Sequence, residues 1–233
     1  MHLKRAIVCL KGRKLMPYEL IIVVSPILAF VMWPIVQKLI ELLPSPHKRA
    51  DSRRTMACAR NLRQIGLAMA EYEQDAGGKL PPSTVGGRNV TGWDISSSDQ
   101  TGTPVGWADA IQSHLHTASE YLCPTANMIP SGKPALSNYT CYWLNSNLAA
   151  IEIKSLTRPQ FTVECGEGFD GIDINDATYS KSALPASWLT DRSKPSFRHL
   201  GGANYLFVDG HVKWLRPDEV THFGGRVDAF AVR

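Results

Sequence analysis

The first apolar segment of the chain is continuous. Leu20–Val36 is apolar apart from Ser25, and with Leu39–Leu43 it is long enough to cross a hydrocarbon core of ~30 Å at ~1.5 Å per residue. The pattern predicts a transmembrane helix over residues 19–43, preceded by a basic cytoplasmic leader over 1–18. A cleaved secretory signal is the alternative, but no Ala-x-Ala site follows the apolar run.

The next apolar positions are periodic. Between Ala50 and Ala76 they recur every three or four residues, as an amphipathic helix requires. The expected core face consists of Met56, Ala59, Leu62, Ile65, Met69 and Tyr72. Gly77 and Gly78 are typical of a helix C-cap. We therefore expect an amphipathic helix over residues 44–78.

The remainder, residues 79–233, predicts a loop-rich domain with short strands. Three aromatic or β-branched runs favour strands, and residues 107–115 favour a short helix. The runs are Tyr121–Thr125, Tyr139–Trp143 and Phe161–Cys165. Because the strands follow the helices instead of alternating with them, we expect an α+β fold with a small antiparallel sheet.

The clearest local signal is a hairpin near the C-terminus. Two apolar runs, Tyr205–Val208 and His211–Leu215, flank Asp209-Gly210. This dipeptide is preferred in two-residue type I′ turns, where both central residues need φ > 0. We expect such a turn here, with a structural role for Asp209.

Several of these segments resemble one family. His199, nine residues, then Asp209-Gly210 is similar to the signature of the prepilin-type processing-associated proteins, which are pseudopilin-like. Trp33–Glu41, Cys58–Ala68 and Leu80-Pro-Pro82 resemble the helical part of that family. A Cys-Pro turn, an Asn-Tyr strand and Glu164-Cys-Gly-Glu167 resemble its C-terminal region. The resemblance implies a pilin-like fold whose N-terminal helix packs with other pseudopilin subunits.

The resemblance also implies processing by a prepilin peptidase. Glu19 is the candidate for the carboxylate that pairs with a neighbouring subunit, since an acid at the edge of an apolar run is costly to bury. Counting back from Glu19 places the cut after Lys14, whereas the spacing to Pro34 places it after Gly12. Both positions remain candidates, and Glu19 could alternatively end the span at the lipid headgroups.

Charge is distributed unevenly. Residues 1–63 carry 12 basic and 3 acidic residues, a net of +9, so the rest carries 13 and 18, a net of −5. Basic residues on both sides of an apolar span fit anionic lipid better than nucleic acid, and no nucleic-acid-binding motif is present. The family resemblance implies an N-terminus in the bacterial cytoplasm and a periplasmic C-terminal domain.

Cysteines in that compartment are free to form disulfides. Cys123 and Cys141 enclose a loop rich in Pro, Asn and Ser, and we expect them to pair, with three buried thiols as the alternative.

Two groups of polar residues are candidate metal sites. His199, Asp209 and His211 share a hairpin, but the turn position of Asp209 argues against metal binding. Asp170, Asp173 and Asp176 form an oxygen-rich segment of the kind that calcium favours, although a solvated loop is the simpler interpretation.

No catalytic motif is present, so we expect neither enzymatic activity nor a cofactor. The sequence predicts a single-pass inner-membrane protein that serves as a structural subunit of a type II secretion or type IV pilus-like assembly. The alternative is a membrane-tethered periplasmic binding module that does not polymerise.

Overall fold

A computed structural model describes residues 32–38, 40, 46–84, 105–126, 128–169, 173–221, 229–230 and 232. Residues 1–49 and 50–233 form separate compact units. In the first unit, residues 32–38 are helical. No helix among the described residues is both long enough and apolar enough to cross a membrane. Most of the span predicted over 19–43 lies outside the described residues, as do Gly12, Lys14 and Glu19.

The long amphipathic helix is present, and its bounds are close to the prediction. Helix α1 covers Pro46–Asp75. Gly77 and Gly78 follow with φ of 67° and 88°, and the Gly78 N–H donates to the Glu73 carbonyl at 2.8 Å. This six-to-one bond is the mark of a Schellman C-cap, which requires left-handed backbone that glycine adopts without strain.

The buried face of α1 differs from the predicted one at its beginning. Met56 is 64% exposed, whereas Cys58 is fully buried. The buried stripe comprises Cys58, Leu62, Ile65, Ala68 and Met69. Cys58 therefore replaces Met56 as the first core residue of the helix.

The domain is α+β, as predicted, and its five-stranded sheet is mixed. The remaining elements are α2 (Trp107–Ala110), β1 (Tyr142–Asn145), β2 (Val163–Glu167), β3 (Ser180–Lys181), α3 (Ala186–Thr190), β4 (Ala203–Phe207), β5 (Val212–Leu215) and α4 (Pro217–Thr221). The strand order is β3-β1-β2-β4-β5. All neighbouring strands are antiparallel except β1 and β3, which are parallel, so the expectation of a purely antiparallel sheet was wrong.

Short 3-10 turns join these elements. They cover Gln112–His114, Ala118–Tyr121, Ser146–Leu148, Ile153–Ser155, Pro159–Phe161 and Pro195–Phe197. The strand predicted over Tyr121–Thr125 was wrong. A 3-10 helix ends at Tyr121, and a turn follows it. Pro124 removes a backbone donor there, which disfavours a strand inside a sheet.

The sheet is covered on both faces. Leu144, Cys165 and Leu206 share a core with the buried stripe of α1, whereas Trp143 and Tyr205 belong to a second core. Strand residues alternate between faces, and a register shift between Val163 and Cys165 interrupts that alternation in β2. Glu164 is the extra residue of this β-bulge. The layer between α1 and the sheet holds the residues described next.

Candidate functional site

Four buried side chains from distant parts of the chain meet between α1 and the sheet. Cys58 lies on α1, Cys123 in the Cys-Pro turn, Glu167 at the end of β2, and His199 just ahead of β4. One sulfur, nitrogen or carboxylate oxygen from each lies within 4.8 Å of the corresponding atoms of the other three. We call these four residues the His199 cluster.

The cysteines of this cluster form a disulfide. Cys58 and Cys123 are bonded, with Cα atoms 5.2 Å apart. The predicted pairing of Cys123 with Cys141 was therefore wrong, and Cys141 and Cys165 are free and buried. The buried stripe of α1 presents Cys58 to the Cys-Pro turn. Cys141 instead accepts a hydrogen bond from the Cys123 N–H at 2.6 Å.

A tight turn positions His199. Its N–H donates to the Gly202 carbonyl at 2.8 Å, and the Gly202 N–H donates back at 3.2 Å. The central residues Leu200 and Gly201 have φ of 57° and 88°, which is the geometry of a type I′ turn. The Trp214 indole N–H donates to the His199 carbonyl at 2.7 Å. The backbone on either side of the imidazole is thus held in place.

The imidazole contacts both a carboxylate and a sulfur. His199 Nε2 lies 2.6 Å from Glu167 Oε2 and 3.3 Å from Cys123 Sγ. Glu167 Oε1 accepts a hydrogen bond from Asn204 Nδ2 at 2.6 Å, and the same amide donates to the Thr55 carbonyl at 3.1 Å. Asn204 therefore connects the carboxylate to α1.

The second carboxylate oxygen of Glu167, unlike the first, makes no hydrogen bond in the described part of the chain. Glu167 Oε2 has no hydrogen-bond partner among the described residues, despite its short distance to His199 Nε2. The two atoms are close but are not aligned as donor and acceptor, a geometry that weakens a hydrogen bond steeply. Both atoms lie close to the sulfur of Cys123, which is 3.3 Å from His199 Nε2 and within 4.8 Å of a carboxylate oxygen of Glu167.

The titratable groups around the cluster include a buried thiol and two buried phenols, all of which have raised pKa values. Burial raises the pKa of the Cys141 thiol to about 12. Burial also raises the pKa of Tyr205, and the nearby Glu167 carboxylate raises it further. The Tyr142 pKa is raised as well, first by burial and then by its neighbours Cys141 and Glu167. These groups are therefore neutral near pH 7, so they add no charge to the site.

Asp209 and Gly210 lie at the other end of β4. The Gly210 N–H donates to the Phe207 carbonyl at 2.8 Å, and only Gly210 of the pair has positive φ, at 84°. This is a three-residue loop with glycine in the left-handed position, so the predicted two-residue type I′ turn was wrong at this place. The hairpin itself is confirmed.

The side chain of Asp209 acts within this turn. Its Oδ1 accepts a hydrogen bond from the His211 N–H at 3.3 Å and contacts His211 Nδ1 at 2.5 Å. The His211 ring stacks on Phe207 with centroids 4.4 Å apart. Because β4 separates His199 from this turn, His199, Asp209 and His211 do not converge on a metal.

The two calcium candidates that the structure describes, Asp173 and Asp176, have internal partners. Asp173 binds the Lys181 ammonium at 3.1 Å and the Tyr179 hydroxyl at 3.0 Å. Asp176 accepts hydrogen bonds from the Thr178 N–H and hydroxyl. Asp170 lies outside the described residues.

Sequence reasoning missed Cys58, Glu167 and Asn204 as members of one site. Cys58 precedes Leu62 by four residues and Ile65 by seven, so helical spacing could have placed it on the buried stripe. Nothing in the sequence indicated that Glu167 and Asn204 would pair, because their contact joins β2 and β4 across 37 residues.

The described residues thus define a class: an α+β domain in which a long amphipathic helix encloses a disulfide, a carboxylate and an imidazole against a mixed sheet. Residues 47–115 match a family described as a protein of unknown function, DUF1559. The matched range contains α1 from its second residue onward, including Cys58, but ends before Cys123, Glu167 and His199. No curated protein and no solved structure matches the chain.

Proposed function

We propose that this chain is a pseudopilin-like protein of the bacterial inner membrane, with a cytoplasmic N-terminus and a periplasmic domain. It would act as a structural subunit of a type II secretion or type IV pilus-like assembly. The observation that carries the proposal is that α1 has exposed side chains near its start and contributes to the core only in its later part. Arg53, Arg54 and Met56 are exposed, whereas burial against the sheet begins at Cys58. A helix that enters its domain only partway along its length leaves its first turns available to neighbouring subunits.

Two further observations support this proposal. The sequence ahead of α1 contains the apolar run Leu20–Val36 with basic residues on both sides, a pattern that favours contact with anionic lipid. The Cys58–Cys123 disulfide suits an oxidising compartment such as the periplasm. The expected partners are other pseudopilin subunits, membrane lipid and prepilin peptidase.

The intact mass of the membrane-extracted chain tests processing. The chain is expressed in cells with and without prepilin peptidase and is measured by mass spectrometry. We expect a peptidase-dependent loss of all residues up to Gly12 or up to Lys14. The same uncut mass in both strains would contradict the proposal.

A substitution at Glu19 tests assembly. Glu19→Gln keeps the size of the side chain but removes the charge that would pair with a neighbouring subunit. We expect loss of incorporation into filaments formed with partner subunits. Glu41→Gln, at the far side of the apolar run, is the matched control and should assemble normally. Equal incorporation of both variants would contradict a pseudopilin role for Glu19.

The second candidate is a membrane-tethered binding module, and one observation favours it. An open cavity of about 500 Å³ is lined by Arg192, Phe197, Leu200, Gly201, Trp214 and Arg216. Two guanidinium groups beside a half-exposed tryptophan suit a ligand that is both cyclic and acidic, such as an acidic sugar. An uncut chain that binds acidic polysaccharide would support this candidate over the first.

A further inference from the structure

We propose that the His199 cluster is a redox-gated zinc site. In the oxidised protein Cys58 and Cys123 form the disulfide. After reduction, their two thiolates, the imidazole of His199 and the carboxylate of Glu167 would bind one zinc ion. This proposal does not depend on whether the chain polymerises.

The ligand set is one that zinc accepts. Structural zinc sites are tetrahedral and use cysteine sulfur, histidine nitrogen and carboxylate oxygen. With Zn–S of ~2.3 Å and Zn–N or Zn–O of ~2.0–2.2 Å, the ligand atoms of such a site lie roughly 3.3–3.8 Å apart. The four atoms of the cluster already lie within 4.8 Å of one another. Small side-chain rotations would therefore suffice once the sulfurs separate.

A buried carboxylate oxygen that makes no aligned hydrogen bond is the second observation. Glu167 is completely buried, and within the described part of the chain its Oε2 contacts His199 Nε2 at 2.6 Å without forming a hydrogen bond. Such a group is costly to bury, so it marks a position where a cation would be favourable. Its neighbour, His199 Nε2, would also become a ligand atom when the imidazole is neutral.

The supporting residues are already arranged for metal binding. Asn204 donates to Glu167 Oε1 at 2.6 Å, which leaves Oε2 for the ion and fixes the plane of the carboxylate. Trp214 holds the His199 backbone through its carbonyl. Outer partners that orient the ligands in this way are a regular part of zinc sites.

Charge compensation is also available. Two thiolates, one carboxylate and Zn²⁺ leave a net charge of −1. Arg198, the residue before His199, has a buried Nη1 without a hydrogen-bond partner among the described residues. Its Nη2 donates to the Phe169 carbonyl at 2.5 Å. The guanidinium could therefore balance the remaining charge.

The chemistry proceeds in two steps. A dithiol reductant donates two electrons and two protons to the disulfide, which breaks the S–S bond, gives two thiols and leaves the reductant as its own disulfide. Zinc then binds as two Zn–S bonds form and two protons are released to solvent. A disulfide-forming oxidant would reverse the process and expel the ion.

The test uses the full-length chain in oxidised and dithiothreitol-reduced forms, with the reductant removed before metal is added under anaerobic conditions. We expect one tightly bound Zn²⁺ per reduced chain and none per oxidised chain. Co²⁺ in place of Zn²⁺ should give the charge-transfer absorption of a cobalt–thiolate bond. A reduced chain that takes up no Zn²⁺ would overturn the proposal.

Matched variants identify the ligands. His199→Gln and Glu167→Gln should each weaken Zn²⁺ binding by more than about 100-fold, the upper end of the loss found for outer partners. His211→Gln and Cys165→Ser lie outside the cluster and should bind normally. Binding that is equal in the His199→Gln and His211→Gln variants would overturn the assignment.

A thermal melt covers the case in which reduction or substitution unfolds the domain. We expect Zn²⁺ to raise the melting temperature of the reduced native chain and to leave that of the oxidised chain unchanged. If the reduced chain is unfolded, Zn²⁺ should restore its native circular dichroism. Failure to restore it would contradict a zinc site built from these four residues.

Discussion

The two ends of strand β4 carry the two halves of one sequence signature, and they differ in almost every respect. At one end His199 is buried and contacts a carboxylate, a sulfur and a tryptophan from other elements. At the other end Asp209 is exposed and contacts its near neighbour His211. The first end joins α1 to the sheet, whereas the second only turns the chain.

This difference between the two ends of β4 explains why the spacing from His199 to Asp209 is fixed. Strand β4 has five residues, about 17 Å at ~3.3 Å per residue, with a tight turn before and after it. The interval from His199 to Asp209 thus measures one strand and its turns. It does not bring the histidine and the aspartate together. The two ends should therefore respond differently to substitution, and the following predictions are ordered by expected effect.

The largest effect is expected from removal of the disulfide at the His199 end. Cys58→Ser opens a link between residues 65 positions apart, which should lower the free energy of unfolding by about 4 kcal/mol in the chain-entropy picture. Urea unfolding measures the loss. Cys165→Ser is the control for polarity at a buried cysteine, and Cys58→Ser/Cys123→Ser should cost little more than either single variant. Equal losses of unfolding free energy for Cys58→Ser and Cys165→Ser would contradict a stabilising Cys58–Cys123 disulfide.

The two histidines provide the most direct contrast between the ends. His199→Ala leaves the Glu167 carboxylate buried without its imidazole, so we expect a loss of about 3 kcal/mol. His211→Ala removes an exposed contact and a ring stack, for a loss of about 1 kcal/mol or less. Parallel urea titrations compare them. Similar losses would mean that the two ends of β4 are equally structural.

A pH titration tests the buried carboxyl of Glu164, which lies near the Asp209 end. Burial, together with the nearby charges of Glu73 and Asp209, raises the pKa of Glu164 to about 8. Because the folded pKa is above the unfolded one, the protonated form stabilises the fold. That stability is complete below about pH 4.5 and is lost as the pH rises through about 8.

The expected size follows from the same linkage. Between pH 5 and pH 8 the native chain should lose on the order of 3 kcal/mol of unfolding free energy through this group. Glu164→Gln should flatten that dependence and be the more stable protein at pH 8. The midpoints of urea unfolding at pH 5 and pH 8, measured for the native chain and for Glu164→Gln, test this prediction. A native chain whose midpoint is unchanged by pH would show that Glu164 titrates normally.

The smallest effect concerns the turn at His199. Leu200 has φ of 57°, a region that costs a side-chain-bearing residue about 1–2 kcal/mol, and it is 53% exposed. Leu200→Asn should therefore stabilise the domain by about 1 kcal/mol, because asparagine tolerates this backbone. Gly210→Ala, at φ of 84°, should destabilise it by about as much. Thermal melts would reveal opposite shifts, and a destabilised Leu200→Asn variant would contradict this assignment of strain.

The sequence predicted the larger elements because their signals are local. The periodicity of α1, its glycine cap and the alternation around Asp209-Gly210 depend only on neighbouring residues. The type I′ turn over His199–Gly202 could not be predicted from neighbouring residues alone. Leu200 disfavours positive φ, and the turn forms there because Trp214 packs against Gly202 and binds the His199 carbonyl.

The site was less accessible to sequence reasoning, because it depends on contacts between distant segments. The loop between Cys123 and Cys141 suggested a local disulfide, yet the stripe of α1 that contains Leu62 and Ile65 presents Cys58 instead. The Glu167 carboxylate pairs with His199 only because β2 lies beside β4 in the sheet. Strand order, unlike helix periodicity, is not encoded in any short segment.

The most direct test of this account is the disulfide map of the unreduced protein. After alkylation of free thiols, digestion with trypsin and chymotrypsin separates Cys123 from Cys141 by cleavage after Tyr139. Mass spectrometry should find a peptide pair that joins Cys58 to Cys123, together with alkylated Cys141 and Cys165. A peptide pair that joins Cys123 to Cys141 would contradict the central claim that α1, the Cys-Pro turn and the His199 end of β4 form one site.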